Sequence, residues 1–279
     1  MPVTRCMAAL FDRPPSLETL DALLRPLGTV RPEADGLVVE VDGAELRVDP
    51  FSLPWPGEAE RKAQPDLEAA FAAGAFGTGT DPLSFQRAVE HPWTCRDARR
   101  VAPDHQAFVR LLLPATAASI PEWMLLTRAV AALAPAPGAL CVFTPAGESL
   151  RSFERVQAAL RSLGEAPAPA DLWVNTRLLS LGPRWQAMDT VGMAQLGHPD
   201  LVALYDTGRT SYRGADAFLR NLCLYLLDGG TLEDGDRLAG PDGEEWEIRA
   251  SDQPLLPPER PTLQVAALGG PDLGVVTKG

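Results

Sequence analysis

The chain has 279 residues, 46% of them hydrophobic, and its 25 Lys and Arg stand against 37 Asp and Glu, for a formal charge of −12. That length suits one large domain or two smaller ones, with enough apolar mass for a sizeable core and none of the low hydrophobicity of a disordered chain. A field of that sign repels phosphate backbones and anionic lipid, so nucleic acid and membrane surfaces are not expected partners; it keeps a protein soluble and steers it toward a basic one.

The four cysteines, Cys6, Cys95, Cys141 and Cys223, are far apart and form no C-x-x-C or thiol metal spacing. Cys6, Cys141 and Cys223 lie in apolar runs and read as small buried hydrophobes. The start, Met-Pro-Val-Thr-Arg, shows no signal-peptide pattern, and no apolar stretch reaches the roughly 20 residues that cross a bilayer. The cytoplasm is therefore the expected location. Abundant Ala, Pro, Gly and Arg with little Lys fit a GC-rich bacterial genome.

In chain order, residues 4–11 are a short apolar run and an expected buried strand, stopped at Pro14-Pro15. Ser16 caps a helix to about Leu27, with Leu17, Leu20, Leu23, Leu24 and Leu27 on one face. Residues 37–41 and 45–49 are strands joined by Asp42-Gly43, a hairpin turn whose central positions take positive φ. Pro50, Pro54 and Pro56 force an irregular segment around Trp55. Residues 58–73 have helical composition broken by Pro65, residues 74–80 (GAFGTGT) read as a flexible linker loop, and Asp81-Pro82 opens a helix to about Glu90. A polar, partly helical stretch, 91–104, holds the expected boundary between two halves, 1–103 and 104–268.

In the second half, residues 106–113, 139–143, 172–181, 185–190, 201–205, 245–250 and 262–267 are expected strands. Residues 121–134, 149–163 and 215–227 are expected helices, and Asp234-Gly235 and Asp242-Gly243 are turns. Residues 269–279 are Gly- and Pro-rich and read as a loose tail. Mixed helices and strands with hairpins near both ends predict an α+β protein with mixed or mostly antiparallel sheets, not a doubly wound parallel sheet.

No motif reaches the level of a catalytic signature. The three histidines, His91, His105 and His198, belong to no H-x-x-x-H or H-E-x-x-H element. His105 precedes a strand, where a buried hydrogen-bonded role is expected, and Asp200, after His198-Pro199, caps a turn. The 74–80 loop lacks the lysine of a phosphate loop and runs into Asp81. There is no G-x-S-x-G, and the acids at 233–236 and 242–245 lack calcium-loop spacing and read as hairpin tips. No catalytic residue, metal or cofactor is assigned. Trp173, Trp185 and Trp246, on or beside strands, read as core. Trp55 and Trp93, in irregular segments, and the turn acids Asp234, Asp236, Asp242 and Glu244 are the interface candidates.

The distinctive stretch is 188–205 (MDTVGMAQLGHPDLVALY), where Gly192 and Gly197 mark backbone hinges. Together with Asp12-Arg13-Pro14-Pro15, Pro54-Trp55-Pro56, His105-Gln106-Ala107-Phe108-Val109, Leu172-Trp173-Val174, Thr190-Val191-Gly192-Met193 and Gly235-Asp236 in that order, it resembles a bacterial family, the domain of unknown function four-two-six-one. The resemblance implies an α+β fold and brings no established activity, cofactor or catalytic residue.

Three functions are expected from these features. The first is a non-enzymatic protein-binding protein: an immunity-type inhibitor, chaperone, adaptor or regulatory subunit, attracted to a basic partner. The second is a hydrolase using carboxylates with His105 or His198. The third is a component of a larger bacterial assembly, anchored by exposed Trp55 and Trp93.

Overall fold

The structure, a computed structural model, describes residues 3–90, 95–115, 119–162, 168–251 and 256–270. The chain divides into two compact units, Met1–Glu165 and Ala166–Gly279. Both are α+β, with largely antiparallel sheets.

The first unit runs β1 (Val3–Phe11), α1 (Leu17–Leu24), β2 (Thr29–Pro32), β3 (Leu37–Val41), β4 (Ala44–Phe51), α2 (Glu58–Ala63), α3 (Pro65–Ala72), α4 (Ser84–Glu90), α5 (Arg96–Val101), β5 (Ala107–Ala115), α6 (Ile120–Ala132), β6 (Ala139–Thr144), β7 (Ser149–Arg151) and α7 (Phe153–Arg161). Its seven-stranded sheet has the order β2-β3-β4-β5-β1-β6-β7. β1 is interior and covered on both faces, which is why its sequence is a continuous apolar run and not an alternation. Cys6, Ala8 and Leu10 point into a cluster of Trp55, Phe71, Phe76, Phe108 and Phe143, whereas Met7 on the other face meets Thr127 of α6.

Ser16 caps α1 by accepting the Thr19 N–H, and Asp42 and Gly43 take φ of 51° and 81°, as their turn requires. Residues 149–163 are not one helix. Ser149–Arg151 pairs with β6, and the Ser152 hydroxyl then accepts the Arg155 N–H and starts α7. The boundary expected at 100–104 falls inside the first unit, because β5, which follows it, pairs with both β4 and β1.

The 74–80 loop is not a free linker. The Thr78 N–H donates to the Thr4 carbonyl at 2.7 Å, and the Thr4 N–H donates to the Thr78 hydroxyl at 2.8 Å. It thus fills the side of β1 that β6, paired only from Ala8 onward, leaves open. Gly77 has φ +98°, and a Cβ there would stand 2.8 Å from that of Cys6, so only glycine lets the loop lie this close.

His105 is built into the aromatic cluster. Its Nε2 accepts the Trp55 N–H at 2.7 Å, its Nδ1 donates to the Ala102 carbonyl at 2.6 Å, and Phe85 lies against the ring. Only the neutral imidazole satisfies both contacts. Burial lowers its pKa from the ordinary 6.5, against the pull of the Ala102 carbonyl.

The second unit runs α8 (Ala170–Trp173), β8 (Asn175–Ser180), β9 (Trp185–Val191), β10 (Asp200–Asp206), α9 (Tyr212–Leu227), β11 (Arg237–Ala239), β12 (Glu245–Ser251) and β13 (Thr262–Ala267). Residues 172–181 are therefore not one strand: the Val174 N–H donates to the Ala170 carbonyl and closes a short helix around the buried Leu172 and Trp173. The six-stranded sheet has the order β11-β12-β13-β10-β9-β8, and among the described residues only β10 with β13 is parallel. α9 packs on β9 and β10.

A buried ionic cluster ties this sheet together. Arg177 of β8 donates through Nε and one terminal nitrogen to the two oxygens of Asp189 on β9, at 2.9 and 2.5 Å. Arg260, just before β13, donates to Asp189 at 2.8 Å and to the Thr190 carbonyl at 2.9 Å, and its Nε stands 3.0 Å from Asp200 of β10. Asp200 accepts the Thr190 hydroxyl at 2.9 Å and the Met193 N–H at 3.1 Å. Burial pushes the Asp200 carboxyl above its ordinary range, with Arg260, Met193 and Thr190 pulling against it.

Two outcomes are expected. The folded chain resists protonation of His105 while the unfolded chain takes a proton near the ordinary value, so His105 stabilises the fold fully above about pH 6.5 and progressively less below it. Thermal unfolding midpoints should fall from pH 7 to pH 5, with a shallower slope in His105→Gln; an equal slope in the variant would contradict the assignment. Asp189→Ala leaves two buried guanidinium groups short of their anion and should cost about 3–5 kcal/mol in urea unfolding, against under about 1 kcal/mol for Asp228→Ala on the exposed end of α9.

Candidate binding site

The register of the second sheet sets four strand ends side by side. Trp185 of β9 pairs with Asp206 of β10, Leu204 of β10 with Ala266 of β13, and Ala267 of β13 with Trp246 of β12. There the sheet opens into a cleft of about 260 Å³. The small side chains of Ala266 and Ala267 leave its space, and Tyr205, Trp185 and Trp246 give it an aromatic lining. Tyr205 is buried, its hydroxyl donates to Gln186 at 3.0 Å, and burial pushes its pKa up to about 12, so it stays protonated.

The rim is charged. Arg184 donates to Asp206 at 2.8 Å, and its guanidinium carbon stands 5.3 Å from the centre of the Trp185 ring. The other Asp206 oxygen accepts the Gly208 N–H at 2.9 Å, closing the turn after β10. Gly208, Arg184 and Arg209 together hold the Asp206 carboxyl below its ordinary range. One terminal nitrogen of Arg209 reaches both oxygens of Glu244, at 2.7 and 2.8 Å.

Asp242 is clamped. The Thr210 hydroxyl donates to one oxygen at 2.9 Å, and the other accepts the Glu244 N–H and the Trp246 indole N–H, each at 3.1 Å. Burial pushes its carboxyl up, but these three donors outweigh burial and hold it below the ordinary range. Gly240 lies flat against the Trp246 ring: a Cβ there would stand 2.0 Å from the indole. The 240–244 turn thereby delivers Asp242 and Glu244 to the rim.

Of the residues singled out in the sequence, Asp242 and Glu244 thus come together at this cleft. Asp234 and Asp236 do not line it; they shape the preceding turn, accepting the Ala250 N–H and the Glu233 N–H, each at 2.7 Å. Trp55 is no exposed anchor. Flanked by Pro54 and Pro56, it turns inward and packs edge-on against Phe76 and Phe143. Trp93 and His91 lie outside the described residues. His105 has both ring nitrogens engaged in the first unit's core, and His198 is half-buried in the second, its pKa lowered by burial. Among the described residues no group of three or more His, Cys, Asp or Glu is placed to hold a metal ion, and no helix is long and apolar enough to cross a membrane.

Sequence reasoning passed over Arg184, Tyr205, Asp206 and Arg209. One local signal was present: Asp206 followed two residues later by Gly208, the pattern of an Asp-closed turn. The arginines carry none, since their partners are 22 and 35 residues away.

No curated protein and no solved structure matches the chain. The matched family supplies no activity, and the match leaves out the first unit, with Pro54-Trp55-Pro56 and His105. It takes in Asp189, Asp200, Asp206, Asp242, Glu244 and Arg260 of the second unit, and residues 189–266 of this chain match the model of the family described as Domain of unknown function (DUF4261).

Proposed function

We propose that the chain is a non-enzymatic, protein-binding protein of the bacterial cytoplasm, of the inhibitor, adaptor or regulatory-subunit kind, and that its partner is basic and meets the second unit at the cleft between β9, β10, β12 and β13. One observation carries the reading: an aromatic-lined cleft whose rim gathers three carboxylates, Asp206, Asp242 and Glu244, around two cations, Arg184 and Arg209. A general acid or base works best with a pKa near the operating pH. Asp206 and Asp242 are shifted below the ordinary carboxylate range, away from neutral pH, which does not suit them to shuttling a proton.

The surroundings support it. An aromatic lining, a polar rim and well-exposed ion pairs make up the anatomy of a recognition site, and a formal charge of −12 speeds encounter with a basic partner.

The expected outcome is that tagged protein captures one stoichiometric partner of high isoelectric point from its host at low salt and releases it at high salt. The purified pair should re-form one to one, with affinity falling as salt rises. Failure to retain a stoichiometric partner at low salt, or a complex indifferent to salt, overturns the reading.

A further inference from the structure

We propose that the cleft receives an arginine side chain from the partner, that Glu244 is the carboxylate that accepts it, and that Arg209 holds that place until the partner arrives. This rests on the protein-binding reading and adds the chemistry of recognition to it.

The first argument is geometric. Arg209 meets Glu244 through a single nitrogen that touches both carboxylate oxygens. That is not the parallel two-nitrogen fork in which a guanidinium holds a carboxylate best. The side chains are 59% and 47% exposed, so the pair is screened by solvent and easily opened. An arginine arriving over the cleft is able to approach the same carboxylate fork to fork and displace a weaker contact.

The second argument comes from Arg184, which shows within this chain what the lining accepts. Its guanidinium lies over the Trp185 ring while its Nε is fixed by Asp206. Planar stacking on an aromatic face combined with a carboxylate contact is what arginine does and lysine does poorly. Tyr205 and Trp246 back the same cleft as buried rings, Trp246 with Gly240 against it, so Trp185 is its partly exposed ring.

The third is charge complementarity. Arg184 and Arg209 face Asp206, Asp242 and Glu244, and Asp206 and Asp242 are held in their charged form. When Arg209 swings away, one cation remains among three anions. Asp242 has both oxygens filled by its own turn, and Asp206 is taken by Arg184 and Gly208. Glu244 is left as the acceptor. The cleft, at about 260 Å³, has room for a side chain or two and not for a folded element, which fits a loop or extended segment presenting an arginine.

The test uses the whole chain and three blocked hexapeptides, of arginine, lysine and glutamate, titrated calorimetrically at low and high salt. The arginine peptide should bind more tightly than the lysine peptide, and the glutamate peptide not at all. Glu244→Gln should weaken arginine-peptide binding about tenfold, and Arg209→Ala should strengthen it by about threefold or more. Arg237 and Glu245 form a similarly exposed pair on the same unit that does not line the cleft. Glu245→Gln and Arg237→Ala, with the same charge changes, should each alter binding less than about twofold. Circular dichroism checks that all four variants are folded.

No binding of the arginine peptide overturns the proposal. So does equal binding of arginine and lysine peptides, an Arg209→Ala protein that binds no more tightly, or control variants that reproduce the cleft variants. If the native partner still binds in a salt-dependent way while Glu244→Gln and Arg209→Ala leave that complex untouched, the protein-binding reading stands and this inference falls.

Discussion

The second unit depends on a cluster of four charges largely withdrawn from water. Asp189, Asp200 and Arg177 are fully buried, the Arg260 side chain is 5% exposed, and two anions face two cations. Burying an ion is costly unless partners and hydrogen bonds replace its hydration, and here the replacement is dense. Asp189 is held by both arginines, Asp200 by Arg260, the Thr190 hydroxyl and a backbone N–H, and Arg260 also donates to the Leu256 and Pro258 carbonyls. The cluster therefore joins β8, β9, β10 and the segment entering β13. Apolar side chains would fill the same volume more safely, but they lack the directional contacts that fix how those elements align.

That alignment is what makes the cleft. Asp189 stands four residues along β9 from Trp185, roughly 13 Å at the rise of an extended strand. One end of the strands is thus locked by buried ion pairs, and the other, where Trp185, Asp206, Ala267 and Trp246 fall into register, is open. The contrast between the two sets of ion pairs is one of solvent. Arg177 with Asp189 is sealed, so losing either partner strands a charge, whereas Arg209 with Glu244 is exposed and exchangeable. The same chemistry serves architecture at one end and suits recognition at the other. The first unit uses the sealed version too: Arg110 pairs with the buried Asp49, donates to the Ala75 carbonyl and lies over Phe51 and Phe76.

Much of the fold was legible because local rules and tertiary packing agree. The apolar run at 4–11, stopped at Pro14-Pro15, marks β1, Asp42-Gly43 marks a hairpin, and Ser16 marks a helix start, each by a mechanism acting within a few residues. The failures have the same physical root in reverse. An arginine within a strand reads as solvent-facing, yet Arg177 is inside because its anion is 12 residues away and Arg260 lies 71 residues from the same anion. Trp55 sits in a proline-bounded segment that reads as surface, but its side chain fills a gap among rings from distant elements. The turn acids Asp242 and Glu244 were visible as turn residues; the arginine, threonine and tryptophan that give them chemical meaning were not.

The bounds of the family match can be read against this architecture. A cut at residue 189 falls inside β9 and removes β8 entirely. It takes away Arg177, leaving Asp189 with only Arg260, and takes away Arg184 and Trp185, leaving the cleft without one of its two cations and one of its rings. Residues 189–266 therefore hold the anions of both charge systems but not all of their cations. Because a buried carboxylate without its full complement of donors is destabilising, the matched segment is not a self-sufficient folding unit in this chain. The physical unit is the six-stranded sheet with α8 and α9, and both the stability of the segment and any recognition at its cleft draw on residues that precede it.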